Sequence, residues 1–435
     1  MFELTNGTVE EMAGRAASWL RARGLGRGDR VAVVAANRPE YVGLTTGALR
    51  TGVVPVLLNV HLGGAERERM LNDSDPALVV TDDDWPDLGA GPGADLADHP
   101  LARPMHYTSG TTGLAKGVWS GVLSEEDAAA LAADEQDLWD ARPGETYLVC
   151  SPLYHSAPHR IVLSALAAGA RVLVFERFDA AEIARAFVDE DVAGAFLVPT
   201  HLRRLFAGSF AAPYARRILH AGEPCPEPLK LRAIEVFGVE KLWEFYGSTE
   251  GQFALCSSAE WLERPRTVGR PRRGRRFEVT DPAVDGVGTV WVSAPSFARW
   301  EYWRDPGKTA EAWNGDLFTV GDLGRLDDDG YLFLEGRRED LIITGGVNVY
   351  PAEVERVLLE HPSVVEAAVF GIPHEEWGQT VCAAVVADAD ADAIHAFARE
   401  RLAGSHAPKR VVVLGALPRT ASGKVLRDEL RKLES

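Results

Sequence analysis

Cysteine is scarce in this chain. The four present in 435 residues, at positions 150, 225, 256 and 382, form no Cys-x-x-Cys pair and no His/Cys cluster at zinc spacing. Their scatter argues against a disulfide scaffold and against a structural zinc site. Basic residues are also in deficit: 46 Lys and Arg face 64 Asp and Glu, a net charge of −18. Such a surface does not coat nucleic acid or an anionic membrane, because both attract clustered cations. An anionic ligand must instead be held by backbone dipoles and a few placed cations. Long apolar runs are missing as well; the longest, such as 163–170, fall well short of the roughly 18 residues a membrane span needs. The opening Met1-Phe-Glu-Leu-Thr carries an acidic residue and leads into an amphipathic segment, unlike a signal peptide. The expectation is a cytoplasmic protein with no nucleic-acid partner and no stable membrane insertion.

What is present is ordinary globular composition, 46% hydrophobic and 25% charged, in a chain long enough for several domains. Short β-branched runs begin at Arg30, Val53, Leu78, Tyr147, Arg171 and Ala195, separated by helical patterns such as 180–190. Continuous apolar strands of this kind signal parallel sheets covered on both faces. The 8–25 stretch reads as an amphipathic helix closed by Arg-Gly-Leu-Gly. The 82–104 stretch, rich in Asp, Gly and Pro, reads as a connection. From Phe277 short strands alternate with turns, including Asp327-Asp-Asp-Gly330. Beyond Glu339 lies a small α+β pattern with helices at 351–360 and 392–402. The expected fold is α/β: a large N-terminal body of parallel sheets with a β-rich edge, residues 1–338, then a small α+β domain, residues 339–435.

The densest chemical signal is Tyr107-Thr-Ser-Gly-Thr-Thr-Gly-Leu-Ala-Lys-Gly-Val118. Glycines let backbone amides approach an anion, Ser and Thr hydroxyls donate to phosphate oxygens, and Lys116 supplies a point charge. The spacing is not that of a Walker A loop.

This segment resembles the phosphate-binding loop of the adenylate-forming superfamily of acyl-CoA synthetases, amino-acid adenylation domains and beetle luciferases. Further segments match that superfamily in order: Pro152-Leu-Tyr-His155-Ser, His220-Ala-Gly-Glu-Pro-Cys-Pro226, Tyr246-Gly-Ser-Thr-Glu250, Thr319-Val-Gly-Asp322, Gly336-Arg-Arg-Glu-Asp340, Gly345-Gly346-Val-Asn and Pro418-Arg-Thr-Ala-Ser-Gly-Lys424. The resemblance implies ATP (leaving AMP), Mg2+ and coenzyme A, with a small-molecule carboxylic acid or its acyl-AMP as partner. It implies a cradle for the phosphates from Thr108, Ser109, Gly110, Thr111, Thr112, Gly113 and Lys116. Gly222, Glu223, Tyr246 and Gly247 would wall the adenylate, Asp322 and Arg337 would take the ribose, and Gly345 and Gly346 would line the thiol tunnel. Glu250 with Thr112 would hold the metal, Thr249 and Lys424 would meet the α-phosphate, and His155 would neighbour the substrate carboxylate. Glu339 would be the hinge on which a mobile C-terminal domain turns between half-reactions.

Amino-acid adenylation domains carry Phe-Asp-x-Ser where this chain has Leu153-Tyr154-His155-Ser156, so nothing here replaces their ammonium-binding Asp. The pattern resembles bacterial ligases for fatty, steroid side-chain and other bulky hydrophobic acids, including polycyclic terpenoids. Ala115 and Val320 depart from the family's usual Pro and Thr, and the 82–104 connection is short. Two alternatives stay open: a ligase that only thioesterifies a preformed acyl-adenylate, and an adenylating enzyme that does not use CoA, luciferase-like or carrier-loading. A homodimer is also left open.

Overall fold

The computed structural model describes residues 1–85, 88, 93–108, 115–419 and 425–433. The chain folds as two compact units: Met1–Arg276 with Val292–Phe318, and Phe277–Trp291 with Thr319–Ser435. The second unit begins ahead of Glu339 and contains it.

In the first unit one sheet orders its strands Phe2–Leu4, Arg171–Val174, Thr146–Val149, Val192–Leu197, Arg217–His220, Leu242–Gly247, Gln252–Ser257 and Thr267–Pro271. The strands from Arg171–Val174 to Leu242–Gly247 run parallel; the outer ones are antiparallel. A second sheet orders Glu301–Tyr302, Lys116–Trp119, Met105–Thr108, Val54–Leu57, Arg30–Val34 and Leu78–Thr81. The uninterrupted apolar runs lie where both faces are covered: every residue of Val192–Leu197 and of Val54–Leu57 is buried. The helix Asn6–Ala22 starts with a reciprocal cap between Thr5 and Thr8 and buries Val9, Ala13, Ala16, Ala17 and Leu20 against the core. That core joins Leu20, Val33 and Tyr41 to Trp139, Tyr147 and Phe245.

The second unit holds the antiparallel pair Asp322–Leu326 and Leu332–Arg337. Its turn is fixed by Asp327, whose carboxylate accepts from the backbone N–H groups of Asp329 and Tyr331. A further sheet orders Val347–Val349, Ile342–Thr344, Gly378–Ala387 and Val364–His374, with Arg410–Val413 beside Gly378–Ala387. Helices Pro351–Leu359 and Ala391–Arg401 contribute Val354, Leu358, Ile394 and Ala398 to its core. All four cysteines are free, and no helix among the described residues is long and apolar enough to cross a membrane.

Candidate active site

The glycine-rich segment joins two antiparallel strands, Met105–Thr108 and Lys116–Trp119, with Thr108 opposite Lys116. The loop residues Ser109, Gly110, Thr111, Thr112 and Gly113 lie outside the described residues, as does Lys424. The hairpin's base is anchored on the preceding helix: Tyr107 donates its hydroxyl to Asp73 at 2.6 Å. The Lys116 ammonium sits 4.9 Å from the centre of the Tyr302 ring.

The second motif is a tight turn between antiparallel strands Leu242–Gly247 and Gln252–Ser257, closed by Ser248 N–H to Gly251 O at 2.8 Å. Gly247 is required by the closeness of the crossing. A Cβ there would stand 2.6 Å from the Gly251 carbonyl oxygen and 3.0 Å from the Gln252 Cα. The turn presents Thr249, half-buried, and Glu250, only 6% exposed. One Glu250 oxygen accepts from Ser248 Oγ at 2.6 Å and the other from the Tyr302 hydroxyl at 3.1 Å. The described residues give this carboxylate no basic partner within 4 Å. A buried carboxylate held by neutral donors and left unneutralised fits a hard divalent cation. The described residues contain no group of three His, Cys, Asp or Glu that could cage a metal. Mg2+ is commonly bound by one or two carboxylates plus phosphate oxygens, so a single glutamate is enough from the protein side. Tyr246, 8% exposed, packs edge-on against Phe253 with ring centres 5.1 Å apart.

His155 stands immediately before the helix Ser156–Ala167 and lies half-buried with its ring 4.6 Å from that of Tyr154. Gly222 follows the strand Arg217–His220 in a left-handed conformation, φ +97°. Glu223 is already engaged, its carboxylate accepting from Thr200 N–H at 2.9 Å and Thr200 Oγ1 at 2.8 Å. That contact ties the segment to the start of the helix Pro199–Phe206. Beneath it the parallel register sets His220 opposite Glu244. The fully buried Lys230 ammonium joins both, at 2.5 Å from His220 Nε2 and 3.1 Å from Glu244. Burial, and then the Lys230 charge, push the His220 imidazole down to about 3. Burial pulls the Glu244 carboxyl upward, but the Lys230 charge and hydrogen bond outweigh it and hold the group below its ordinary value. His220 is therefore a neutral imidazole and Glu244 a carboxylate, both meeting Lys230.

In the second unit Asp322 and Arg337 are register partners, with Arg337 Nε 3.2 Å from Asp322 Oδ1. Arg337 also lies 3.8 Å from Glu339, so one guanidinium links the three residues expected at ribose and hinge. Gly345 and Gly346 form the two-residue turn between Ile342–Thr344 and Val347–Val349, with φ of +57° and +80°. Positive φ at both central positions is the geometry that favours glycine in such hairpins.

Sequence reasoning missed two features. Tyr302 lies in the segment Trp300-Glu-Tyr-Trp303, which carries no motif; its proximity to Lys116 comes from the pairing of Glu301–Tyr302 with Lys116–Trp119. Lys230 lies on the helix Glu227–Phe237 outside any motif, and it meets the His220–Glu244 pair just described.

A family model described as AMP-binding enzyme matches residues 2–103 and 102–303, and one described as AMP-binding enzyme C-terminal domain matches 353–424. The first match falls into two pieces that meet at 102–103, at the end of the short connection. The long-chain-fatty-acid–CoA ligase FadD13 of Mycobacterium tuberculosis is 32% identical across 99% of this chain and 93% of its own length. A 2-succinylbenzoate–CoA ligase of Geobacillus kaustophilus is 34% identical across 98% and 93%. Among solved structures, the o-succinylbenzoate CoA synthetase MenE of Bacillus subtilis, in complex with its acyl-adenylate intermediate, matches with a TM-score of 0.86 at 26% identity, covering 99% of each chain. The two-part match and these relatives place the chain in one lineage: it belongs to the AMP-binding enzyme family, in its acyl-CoA ligase branch.

Proposed function

We propose that the protein activates a bulky hydrophobic carboxylic acid, of fatty, steroid side-chain or polycyclic terpenoid type, with ATP and passes it from the acyl-adenylate to coenzyme A. The observation that carries this reading is Glu250, buried, unneutralised and held by two hydroxyls beside the base of the glycine-rich loop.

Attack of a carboxylate on the α-phosphate brings two anions together, so positioning and charge neutralisation dominate the chemistry. Glu250, with Thr112 from the loop, would hold Mg2+, which when bound neutralises charge on the phosphate oxygens. Lys116 and Thr108, with Ser109, Gly110, Thr111 and Gly113, hold the outer phosphates. Thr249 donates to the α-phosphate, Tyr246 flanks the adenine, and Gly222 with Glu223 shapes the pocket wall. His155 orients the substrate carboxylate. In the second unit Asp322, ion-paired with Arg337 Nε at 3.2 Å, would accept from the ribose hydroxyls. Lys424 supplies the cation for the adenylating half-reaction, Glu339 is the pivot, and Gly345 and Gly346 flank the pantetheine thiol. A cytoplasmic location accords with the free cysteines.

The acid preference rests on the Leu153-Tyr154-His155 segment, which offers no carboxylate to an amino-acid ammonium. An acid library incubated with ATP, Mg2+ and CoA, read by mass spectrometry, tests it. Thioesters should form from large apolar acids with kcat/KM at least tenfold above that for short or amino acids. A preference for short polar acids would contradict the substrate class.

A further inference from the structure

Lys116 and Glu250 belong to different motifs, yet one side chain touches both. Tyr302 Oη donates to Glu250 Oε1 at 3.1 Å, and the face of the same ring receives the Lys116 ammonium at 4.9 Å. We propose that Tyr302 is a positioning residue for nucleotide activation, setting the metal-binding carboxylate with its hydroxyl and the phosphate-loop cation with its ring. The inference rests on the adenylation reading above.

The backbone around Tyr302 is held at several points. The strand Glu301–Tyr302 pairs antiparallel with Lys116–Trp119, setting Tyr302 opposite Val118, and Trp303 N–H donates to Gly117 O at 2.8 Å. Tyr302 N–H donates to Thr309 Oγ1 at 2.9 Å, and Tyr302 O accepts from Asp305 N–H at 3.1 Å. The Trp300 ring meets the Tyr302 ring edge-on at 4.9 Å. The side chain therefore starts from a fixed base on the same strand pair that carries Lys116.

Two consequences follow for charge. Glu250 receives one hydroxyl on each oxygen, and a carboxylate has about four lone-pair sites. The two hydrogen bonds fix its plane and still leave each oxygen able to bind a metal. Groups that hydrogen-bond a metal ligand from behind typically set metal affinity by about 10- to 100-fold. The ring also gives Lys116 a seat that is not a carboxylate. A lysine four rotatable bonds long, so near a buried glutamate, could otherwise close a salt bridge that neutralises both groups before nucleotide arrives. Seated on the negative face of an aromatic ring, the ammonium keeps its full charge for phosphate. Among the described residues no Lys116–Glu250 pair lies within 4 Å.

Two variants separate the hydroxyl from the ring. Tyr302→Phe removes the bond to Glu250 and keeps the face. A second variant carries pentafluorophenylalanine at position 302, which keeps the shape of phenylalanine and reverses the sign of the ring face. Calorimetric binding of the non-reacting analogue α,β-methylene-ATP is measured with Mg2+ titrated and again in EDTA. Tyr302→Phe should raise the Mg2+ needed for half-maximal binding about tenfold or more while leaving affinity in EDTA within twofold. The fluorinated variant should show the same metal shift and, in EDTA, a further loss of several-fold relative to Tyr302→Phe. An unchanged Mg2+ requirement in Tyr302→Phe overturns the hydroxyl's role, and equal EDTA affinities in the two variants overturn the ring's. Wild-type binding that ignores Mg2+ would fail earlier, refuting the metal reading of Glu250 itself.

Discussion

Acid should unfold this protein at an unusually mild pH. Three histidines of the first unit are buried and a fourth, His201, is half-buried: burial, reinforced by neighbouring His159, pushes His106 down to about 3, and burial with Arg160 does the same to His159. Burial with Lys230 sets His220 at about 3, and burial with Arg204 sets His201 at about 4. Each is neutral in the fold, whereas in the unfolded chain each gains a proton below its ordinary value of 6.5. The unfolded state therefore binds more protons as the pH falls, and stability falls with it. A histidine lowered this far loses on the order of 1 kcal/mol of folding stability at pH 5.5 and on the order of 3 at pH 4.5. Four together remove roughly 5–6 kcal/mol at pH 5.5 and roughly 10 at pH 4.5, against a typical total of about 5–15. Circular dichroism and tryptophan fluorescence along a pH series should place the acid midpoint between about pH 4.5 and 5.5. His159→Leu sharpens the test. Among the described residues its Nε2 meets Thr45 Oγ1, at 3.0 Å, and that hydroxyl also donates to the Tyr41 carbonyl at 2.9 Å. Removing His159 should take about one proton from the uptake that drives unfolding. A wild-type midpoint below pH 4, or an unchanged proton uptake in His159→Leu, would refute the reasoning.

Three other outcomes are expected. Lys424→Ala should cut acyl-AMP formation by about 10²-fold, the scale of one electrostatic transition-state contact, and leave thioester formation from supplied acyl-AMP nearly unchanged; equal loss in both would remove that role. Glu339→Pro fixes φ at the proposed pivot and should retain one half-reaction while losing the other, so wild-type rates in both would contradict domain rotation. Lys230→Met leaves the largely buried Glu244 without its cation and should destabilise the first unit by about 3–5 kcal/mol, whereas Lys230→Met/Glu244→Leu should lose much less. Thermal midpoints read the difference, and additive losses would show that the two are not a pair.

The parallel sheets were legible in the sequence because doubly covered strands tolerate no polar break, and Val192–Leu197 and Arg30–Val34 stand close to where their β-branched runs put them. A turn was legible where a residue type is forced, as at Asp327–Gly330, whereas Gly345-Gly346 reads in the sequence only as a tunnel wall and its hairpin turn comes from the structure. The division into units was not. Phe277–Trp291 joins a body whose remainder starts at Thr319, and a discontinuous unit leaves no local signature. The same limit hid the chemistry around the motifs. His220 and Glu244 meet only through parallel register, and Lys230 reaches them from the intervening helix. Tyr302 lies in a strand of two residues, too short for any alternation to show which way its side chain points. Motif residues could be named from their types; the groups that hold them could not.

The central claim is that this chain itself forms the adenylate. An acid from the library that yields a thioester is incubated with ATP and Mg2+ but no CoA, and pyrophosphate and enzyme-bound acyl-AMP are counted. A full ligase should release one pyrophosphate per active site in a burst and retain the matching acyl-AMP, and Glu250→Gln should slow that burst by about 10²-fold. Pyrophosphate at background, with rapid thioester formation from the same acid's synthetic adenylate and CoA, would contradict the claim.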